Sequence, residues 1–288
     1  MTDAQYRSGE KPVWCPGCGD YGVSAAIMKA LGELNIPKND IMVVTGIGCS
    51  SAISGQFSTY GIHGIHGRLL PIATGVKLAN PKLTVIGAGG DGDGYGIGAA
   101  HFIHAARRNI DLTYIVMDNE IYGLTTGQAS PTSLIGMKTK STPFGVTENP
   151  INPLSLAISA GATYVARGFS GDPNHLSMLI KNGITHKGFA LIDIMSPCVT
   201  FNHDNTYDWL RKRIYKLEDQ QHDPSDMAKA FEKATEFERD GSKMPLGLFY
   251  KTSKPLYEEL DPVIMEGPVV GRSPPTTAEV EAVLKEYI

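Results

Sequence analysis

The chain has no apolar run approaching the roughly 20 residues needed to cross a bilayer. Its first twelve residues, MTDAQYRSGEKP, lack the apolar centre of a secretion signal. It has little charge imbalance: 26 Lys and Arg against 30 Asp and Glu leave −4, which excludes a general nucleic-acid binder. It has only four cysteines in 288 residues, and no internal repeats or low-complexity tracts. These absences point to a cytoplasmic globular protein with reduced thiols and no membrane segment.

What is present is ordinary in bulk and unusual in places. Hydrophobic residues make up 42% and charged residues 19%, the range of a soluble domain, and the length suits one large domain or two small ones. Glycine is abundant, at 32, and much of it lies between residues 46 and 98. Glycine lets backbone approach a ligand closely, although a loop-rich fold would need it too.

The first two-thirds alternates two periodicities. Helical spacing covers residues 22–34, 97–108, 153–160 and 173–186, and short apolar strands cover 41–45, 83–88, 112–117, 163–166 and 189–194. Continuous apolar strands separated by helices imply an α/β fold: a doubly wound, mainly parallel sheet covered on both faces. Ligands in such folds sit at the carboxyl ends of the strands. From residue 203 the composition changes, with 29 charged residues in the last 86 against 27 in the first 202. We therefore expect a binding domain over 1–202 and a C-terminal helical or irregular arm over 203–288. The arm has helices near 225–237 and 277–286 and packs on a partner subunit.

The stretch GGDGDGYG at 89–96 follows a strand and precedes a helix, the setting in which backbone N–H groups receive phosphate. A calcium loop beginning at Asp91 fails, because its fifth and twelfth positions are Tyr95 and Phe102. Gly87, Gly89 and Gly92 match a dinucleotide fingerprint, with Asp118 ending the next strand as a ribose-binding acid. That reading would make the chain an NAD-binding dehydrogenase. A thiamine diphosphate site reads the same stretch differently. Asp91 and Asn119, 28 residues apart after successive strands, would give Mg²⁺ a carboxylate and an amide oxygen.

Cys15 and Cys18 form a C-x-x-C pair, while Cys49 and Cys198 each follow a strand. Four thiolates hold either a 4Fe–4S cluster or a structural zinc, and the spacing does not choose between them. A zinc would make the chain a stabilised non-catalytic subunit. A cluster beside a diphosphate cofactor would take electrons from it.

The motifs WCPGCG, GIGCSS, HGIHGR, GGDGDGYGIG, MDNEIYGLTTGQ and SPCVTFN occur in this order between residues 14 and 202. Together they resemble the β-subunit of 2-oxoacid:ferredoxin oxidoreductases. The segments HFIHAARRNIDLT, SPTS and KTKSTP look most like the 2-oxoglutarate-using members; pyruvate- and branched-chain-specific members are the alternatives. The resemblance implies coenzyme A-dependent oxidative decarboxylation of a 2-oxoacid. Electrons pass through a 4Fe–4S cluster to ferredoxin, and the reverse reaction fixes CO₂, as in a reductive TCA cycle.

It assigns Cys15, Cys18, Cys49 and Cys198 to the cluster, and Asp91, Asn119 and the Ile121 carbonyl to Mg²⁺. It also implies that thiamine diphosphate touches Ile47, Gly48, Cys49, Ser50, Gly90, Gly92, Asp93, Tyr122, Gly123 and Leu124. His66 is expected at the diphosphate or reaction centre, and Arg68 at a substrate carboxylate. His101 and His104 read as packing or surface residues. The catalytic Glu, the pyrimidine-binding domain and a coenzyme A site are expected on an α-subunit, in an (αβ)₂ assembly. Arg7 and Lys11 are candidates for steering an acidic ferredoxin.

Overall fold

A computed structural model describes residues 3–237 and 241–287. An eight-stranded sheet runs through it. The strands are β1 Ile41–Thr45, β2 Tyr60–His63, β3 Thr84–Gly90, β4 Thr113–Asp118, β7 Tyr164–Phe169, β8 Ala190–Met195, β9 Ile214–Lys216 and β10 Met244–Lys251; β5 Ile121–Tyr122 and β6 Gln128–Ala129 form a separate small hairpin. The sheet order is β2-β1-β3-β4-β8-β7-β10-β9. Every pairing within it is parallel except that of β10 with β7.

The strand sequences explain their central place. Every residue of β4, β7 and β8 is buried, so both faces must be covered. Helices α1 Asp20–Leu34 and α5 Pro173–Thr185 contribute to an apolar cluster with Ile115, Ile192 and Ala166. Helices α2 Leu69–Ala79, α3 Ala99–Arg108, α4 Pro153–Ala160 and α7 Met227–Ala234 contribute to another with Val116, Leu191 and Val165. Local signals set the helix ends. Asn152 and Asp172 accept hydrogen bonds from the Ser155 and His175 N–H groups, each with proline next in the chain. Thr206 opens the short α6 Tyr207–Arg211 by accepting the Trp209 N–H. Asn35 and Asn109 end α1 and α3 in the left-handed conformation.

Three elements depart from the sequence expectation. The helix expected from residue 97 begins at Ala99, after a wider turn at Gly92–Ile97. Strand β2 and helix α2, between the glycine-rich motifs, were not anticipated. The boundary at 202 also does not mark the end of the sheet, because β9 and β10 lie beyond it. Strand β10 carries Pro245, which has no N–H to donate. Proline is tolerated there because β7 pairs only from Gly247 onward, while Pro245 faces Tyr215 of β9. The exposed arm is shorter than expected. It includes α8 Tyr257–Leu260, α9 Pro262–Met265 and α10 Thr277–Lys285, and α9 and α10 bury no residue. Residues 1–2, 238–240 and 288 of the two expected ranges lie outside the described residues.

Candidate active site

Four neighbouring strands end on one rim of the sheet. Registers pair Thr45 with Ala88, Gly90 with Met117 and Asp118 with Met195. The segments leaving β1, β3, β4 and β8 therefore emerge side by side, carrying Cys49, Asp91, Asn119 and Cys198. A cavity of about 420 Å³ opens between the first three of these segments and the β5–β6 hairpin. Its walls include Ile47, Gly48, Cys49, Ser50, His66, Gly90, Asp91, Gly92, Asp93, Asn119, Ile121, Tyr122, Gly123 and Leu124. Thr125, Gln128 and Ala129 also line it; the first two belong to the MDNEIYGLTTGQ motif, but none of the three had been assigned a contact from the sequence.

Arg68 is not among the lining residues. It caps α2, and its guanidinium turns back to the Gly67 carbonyl at 3.4 Å. The notion that it meets a substrate carboxylate gains nothing from this placement. His101 is part-buried and His104 exposed.

Asp91 is 2% exposed and accepts a hydrogen bond from the Thr132 hydroxyl at 2.9 Å. Burial pushes its carboxyl up to about 6, opposed by hydrogen bonds from Ser130, Thr132 and backbone N–H groups. Asn119 Oδ1 receives the Ile121 N–H at 3.1 Å, and the Asn202 amide holds the Asn119 carbonyl at 3.0 Å. The Asp93 carboxylate works as a clamp. One oxygen accepts the N–H groups of Ile47 at 2.9 Å and Gly67 at 2.7 Å and lies 3.1 Å from His66 Nδ1; the other is buried without a partner. The Tyr122 hydroxyl donates to the Gly92 carbonyl at 3.1 Å, and its ring fills the space where a side chain at 92 would be.

Behind the cavity lie three more buried carboxylates, Asp118, Glu120 and Asp193. Burial, and then the charge of Asp91, pushes Glu120 up to about 8 and Asp118 well above the usual carboxylate range. Glu120 adopts a left-handed conformation at φ 58, and its Oε2 has no partner. Asp118 holds the Thr132 hydroxyl at 2.8 Å rather than standing free for a ribose. The neighbouring guanidinium is Arg167, whose Nε binds Asp193 at 3.0 Å. Four carboxylates and one guanidinium make a region that a cation at Asp91 would relieve. Divalent-cation chemistry therefore fits these residues.

The cysteines gather at the edge of the same cavity. Cys49 is in its wall, and a Cβ added to Gly123 would lie 3.6 Å from Cys49 Sγ and 3.8 Å from Cys198 Sγ. Burial and then Asp20 push the Cys18 and Cys49 thiols up, and each also feels Cys198. Cys49 feels Cys15 as well. Cys15 is exposed, whereas the other three are partly buried. Trp14 Nε1 donates to the Cys49 carbonyl at 2.7 Å, which ties the C-x-x-C turn to the β1 segment. Among the described residues, no three His, Cys, Asp or Glu side chains are gathered tightly enough to hold a single ion. Two of the sulfurs flank a glycine that leaves space beside them, and Cys15 and Cys18 lie near enough to be felt by the others; four soft donors in one neighbourhood fit an iron–sulfur group.

Comparisons with known proteins agree with this geometry. Residues 46–194 match the family model "Thiamine pyrophosphate enzyme, C-terminal TPP binding domain", and residues 198–266 match the family model for the C-terminal part of the pyruvate ferredoxin oxidoreductase β-subunit. The chain is 47% identical over 267 residues to the 2-oxoacid:ferredoxin oxidoreductase 1 subunit β of Aeropyrum pernix, covering 89% of this chain and 83% of that one. It is 47% identical over 207 residues to the 2-oxoglutarate oxidoreductase subunit KorB of Mycobacterium tuberculosis, covering 72% of this chain and 55% of that one. Among solved structures it is similar to the 2-oxoglutarate:ferredoxin oxidoreductase of Magnetococcus marinus, determined with 2-oxoglutarate, coenzyme A and succinyl-CoA bound. The TM-score is 0.91 and the identity 42%, over 98% of this chain and 96% of that one.

Proposed function

The chain belongs to the β-subunits of 2-oxoacid:ferredoxin oxidoreductases, and from that membership we propose how its residues divide the work. It is the subunit with the thiamine diphosphate-binding domain and acts with an α-subunit. The substrate is 2-oxoglutarate, with coenzyme A as acyl acceptor, as the names of the Mycobacterium tuberculosis and Magnetococcus marinus proteins support. Bound thiamine diphosphate supplies the carbon nucleophile that lets a 2-oxoacid lose CO₂, and a 4Fe–4S cluster supplies one-electron transfer.

This chain's residues bind and orient those groups. Asp91, Asn119 and the Ile121 carbonyl would hold Mg²⁺, which would supply positive charge for the diphosphate. The N–H groups around Ile47 and Gly67, gathered by Asp93, shape the loop that meets the cofactor. Tyr122 fixes the hairpin wall, and His66 stands at the cavity mouth. Cys15, Cys18, Cys49 and Cys198 would hold the cluster. Cys15 is the exposed one of the four, the side on which an external acceptor such as ferredoxin could approach. The exposed residues beyond 258 form the arm that covers the α-subunit in an (αβ)₂ assembly in the cytoplasm, and the reaction runs in either direction.

One observation carries this reading: Cys49 and Gly123 belong both to the cofactor cavity and to the cysteine site. The two groups would share a wall, which is what direct electron transfer requires. Among the described residues no helix is long and apolar enough to cross a membrane. The test is anaerobic purification of β alone and of the αβ complex. Brown protein absorbing near ~400 nm is expected. Viologen reduction should depend on 2-oxoglutarate and coenzyme A and occur only with α present. Colourless protein with one zinc, or full activity from β alone, would overturn the assignment. A higher kcat/KM with pyruvate would overturn the substrate.

A further inference from the structure

Asp20 has no place in the scheme above, yet it is 0% exposed and opens helix α1, two residues after Cys18. A carboxylate in a first helical turn is favoured by the helix dipole. That does not explain why it is buried. Its Oδ1 accepts the Ser196 hydroxyl at 3.0 Å, from the segment that leads to Cys198. The Ser50 hydroxyl, next to Cys49, and the Cys18 thiol lie alongside the same carboxylate. Its Oδ2 is buried without a hydrogen-bond partner.

The neighbouring backbone is built around this contact. The Gly19 N–H donates to the Pro197 carbonyl at 3.1 Å, and a Cβ on Gly19 would fall 2.3 Å from Ser196 Oγ and 2.8 Å from Ser196 Cα. The chain between Cys18 and α1 is pressed against the chain before Cys198, and only glycine allows that approach. One carboxylate thus reaches the segments that carry Cys18, Cys49 and Cys198.

We propose that Asp20 is a positioning residue for the cysteine site, and that its buried charge beside the thiolates holds the bound iron–sulfur group at a low reduction potential. The proposal rests on the reading of the four cysteines as cluster ligands. Reduction adds an electron next to an existing negative charge in a poorly screened interior. The charge therefore disfavours the reduced form, because a cluster's potential follows the net charge and hydrogen bonds around its sulfurs. A low potential makes the reduced cluster a better donor to an external acceptor at the Cys15 side. The Ser196 tie keeps the carboxylate at a fixed distance from the sulfurs.

The experiment is a redox titration of the anaerobic αβ holoenzyme, monitored by electron paramagnetic resonance, with iron and sulfide determined on the same samples. Asp20→Asn keeps an oxygen for Ser196 and removes the charge. Its midpoint is expected to rise by at least threefold in the one-electron equilibrium, about 28 mV at 59 mV per tenfold. Ser196→Ala releases the tie and leaves the charge, so its midpoint is expected to stay at or below the wild-type value. An unchanged midpoint in Asp20→Asn overturns the proposal, and so does a rise in Ser196→Ala equal to that in Asp20→Asn. The midpoint is read from whatever fraction assembles, so incomplete loading leaves the test intact. Wild-type holoenzyme with no cluster signal overturns the proposal together with its premise.

Discussion

Arg167 is the residue whose loss should disturb the rim most. It is 7% exposed and binds Asp193, which is fully buried and also accepts the Tyr95 hydroxyl at 3.0 Å. Arg167→Met removes the neighbouring guanidinium from a region that holds Asp91, Asp118, Glu120 and Asp193. Breaking one side of a buried pair typically costs about 3–5 kcal/mol, because the remaining charge keeps its desolvation penalty without its partner. For a chain of this size that corresponds to a fall in Tm of roughly 6 °C or more.

The measurement is thermal unfolding of the αβ complex, followed by circular dichroism. Replacing both members, as Arg167→Met with Asp193→Asn, leaves a neutral amide that still accepts from Tyr95. At least half of the lost stability should return. Acid should also rescue the single variant. Burial already raises the Asp193 carboxyl, and without Arg167 it rises further; lowering the pH protonates it and removes the unpaired charge. A wild-type Tm in Arg167→Met would refute the electrostatic reasoning. A double variant no better than the single one would refute it equally.

Other expectations concern the cavity and the surface. Gly92→Ala places a methyl group 2.2 Å from the Tyr122 ring, and the forced shift should weaken thiamine diphosphate binding by about 1–3 kcal/mol in calorimetry; unchanged affinity would show that Tyr122 is free to move. The arm exposes Val263, Met265, Val270, Val283 and Leu284. Removing residues 261–288 should leave the unfolding of β unchanged and weaken its sedimentation with α, whereas intact association would place the contact elsewhere. Charge reversal at exposed Arg7 and Lys11 should slow ferredoxin reduction and flatten its salt dependence without affecting viologen reduction; an unaltered ferredoxin rate would count against docking there.

The parts of the site that were legible in the sequence share one property: each sits in a short motif directly after a strand. Gly46 to Ser50, Gly89 to Tyr95 and Asp118 to Leu124 could each be placed at a strand's carboxyl end. Parallel topology then brings such ends together, and the order β1-β3-β4-β8 does so with no strand intervening. What was not legible depends on pairs far apart in the chain. Thr132 reaches Asp91 across 41 residues, and Asp20 meets Ser196 across 176. No local spacing announces either contact. Arg68 shows the limit of a motif: its neighbour His66 lines the cavity, whereas the Arg68 guanidinium lies at the Gly67 carbonyl. Strand β10 was hidden by charged flanks and an internal proline that usually argue for a loop.

The surplus of buried carboxylate connects the fold to its cofactors. The Asp91 carboxyl rises from 3.8 to about 6 in the folded chain, so the folded state binds more protons than the unfolded one between those values. Stability therefore falls as pH rises through that window. A divalent cation on Asp91 restores the anion's favour, so the stabilisation by Mg²⁺ and thiamine diphosphate should grow with pH. Between pH 5 and pH 7 this should be read as a widening gap in Tm with and without Mg²⁺ and the cofactor. A gap that does not change with pH would mean that Asp91 is neutralised by another group in the chain. The acids behind the cavity would then be ordinary buried structure rather than the cause of its demand for a cation.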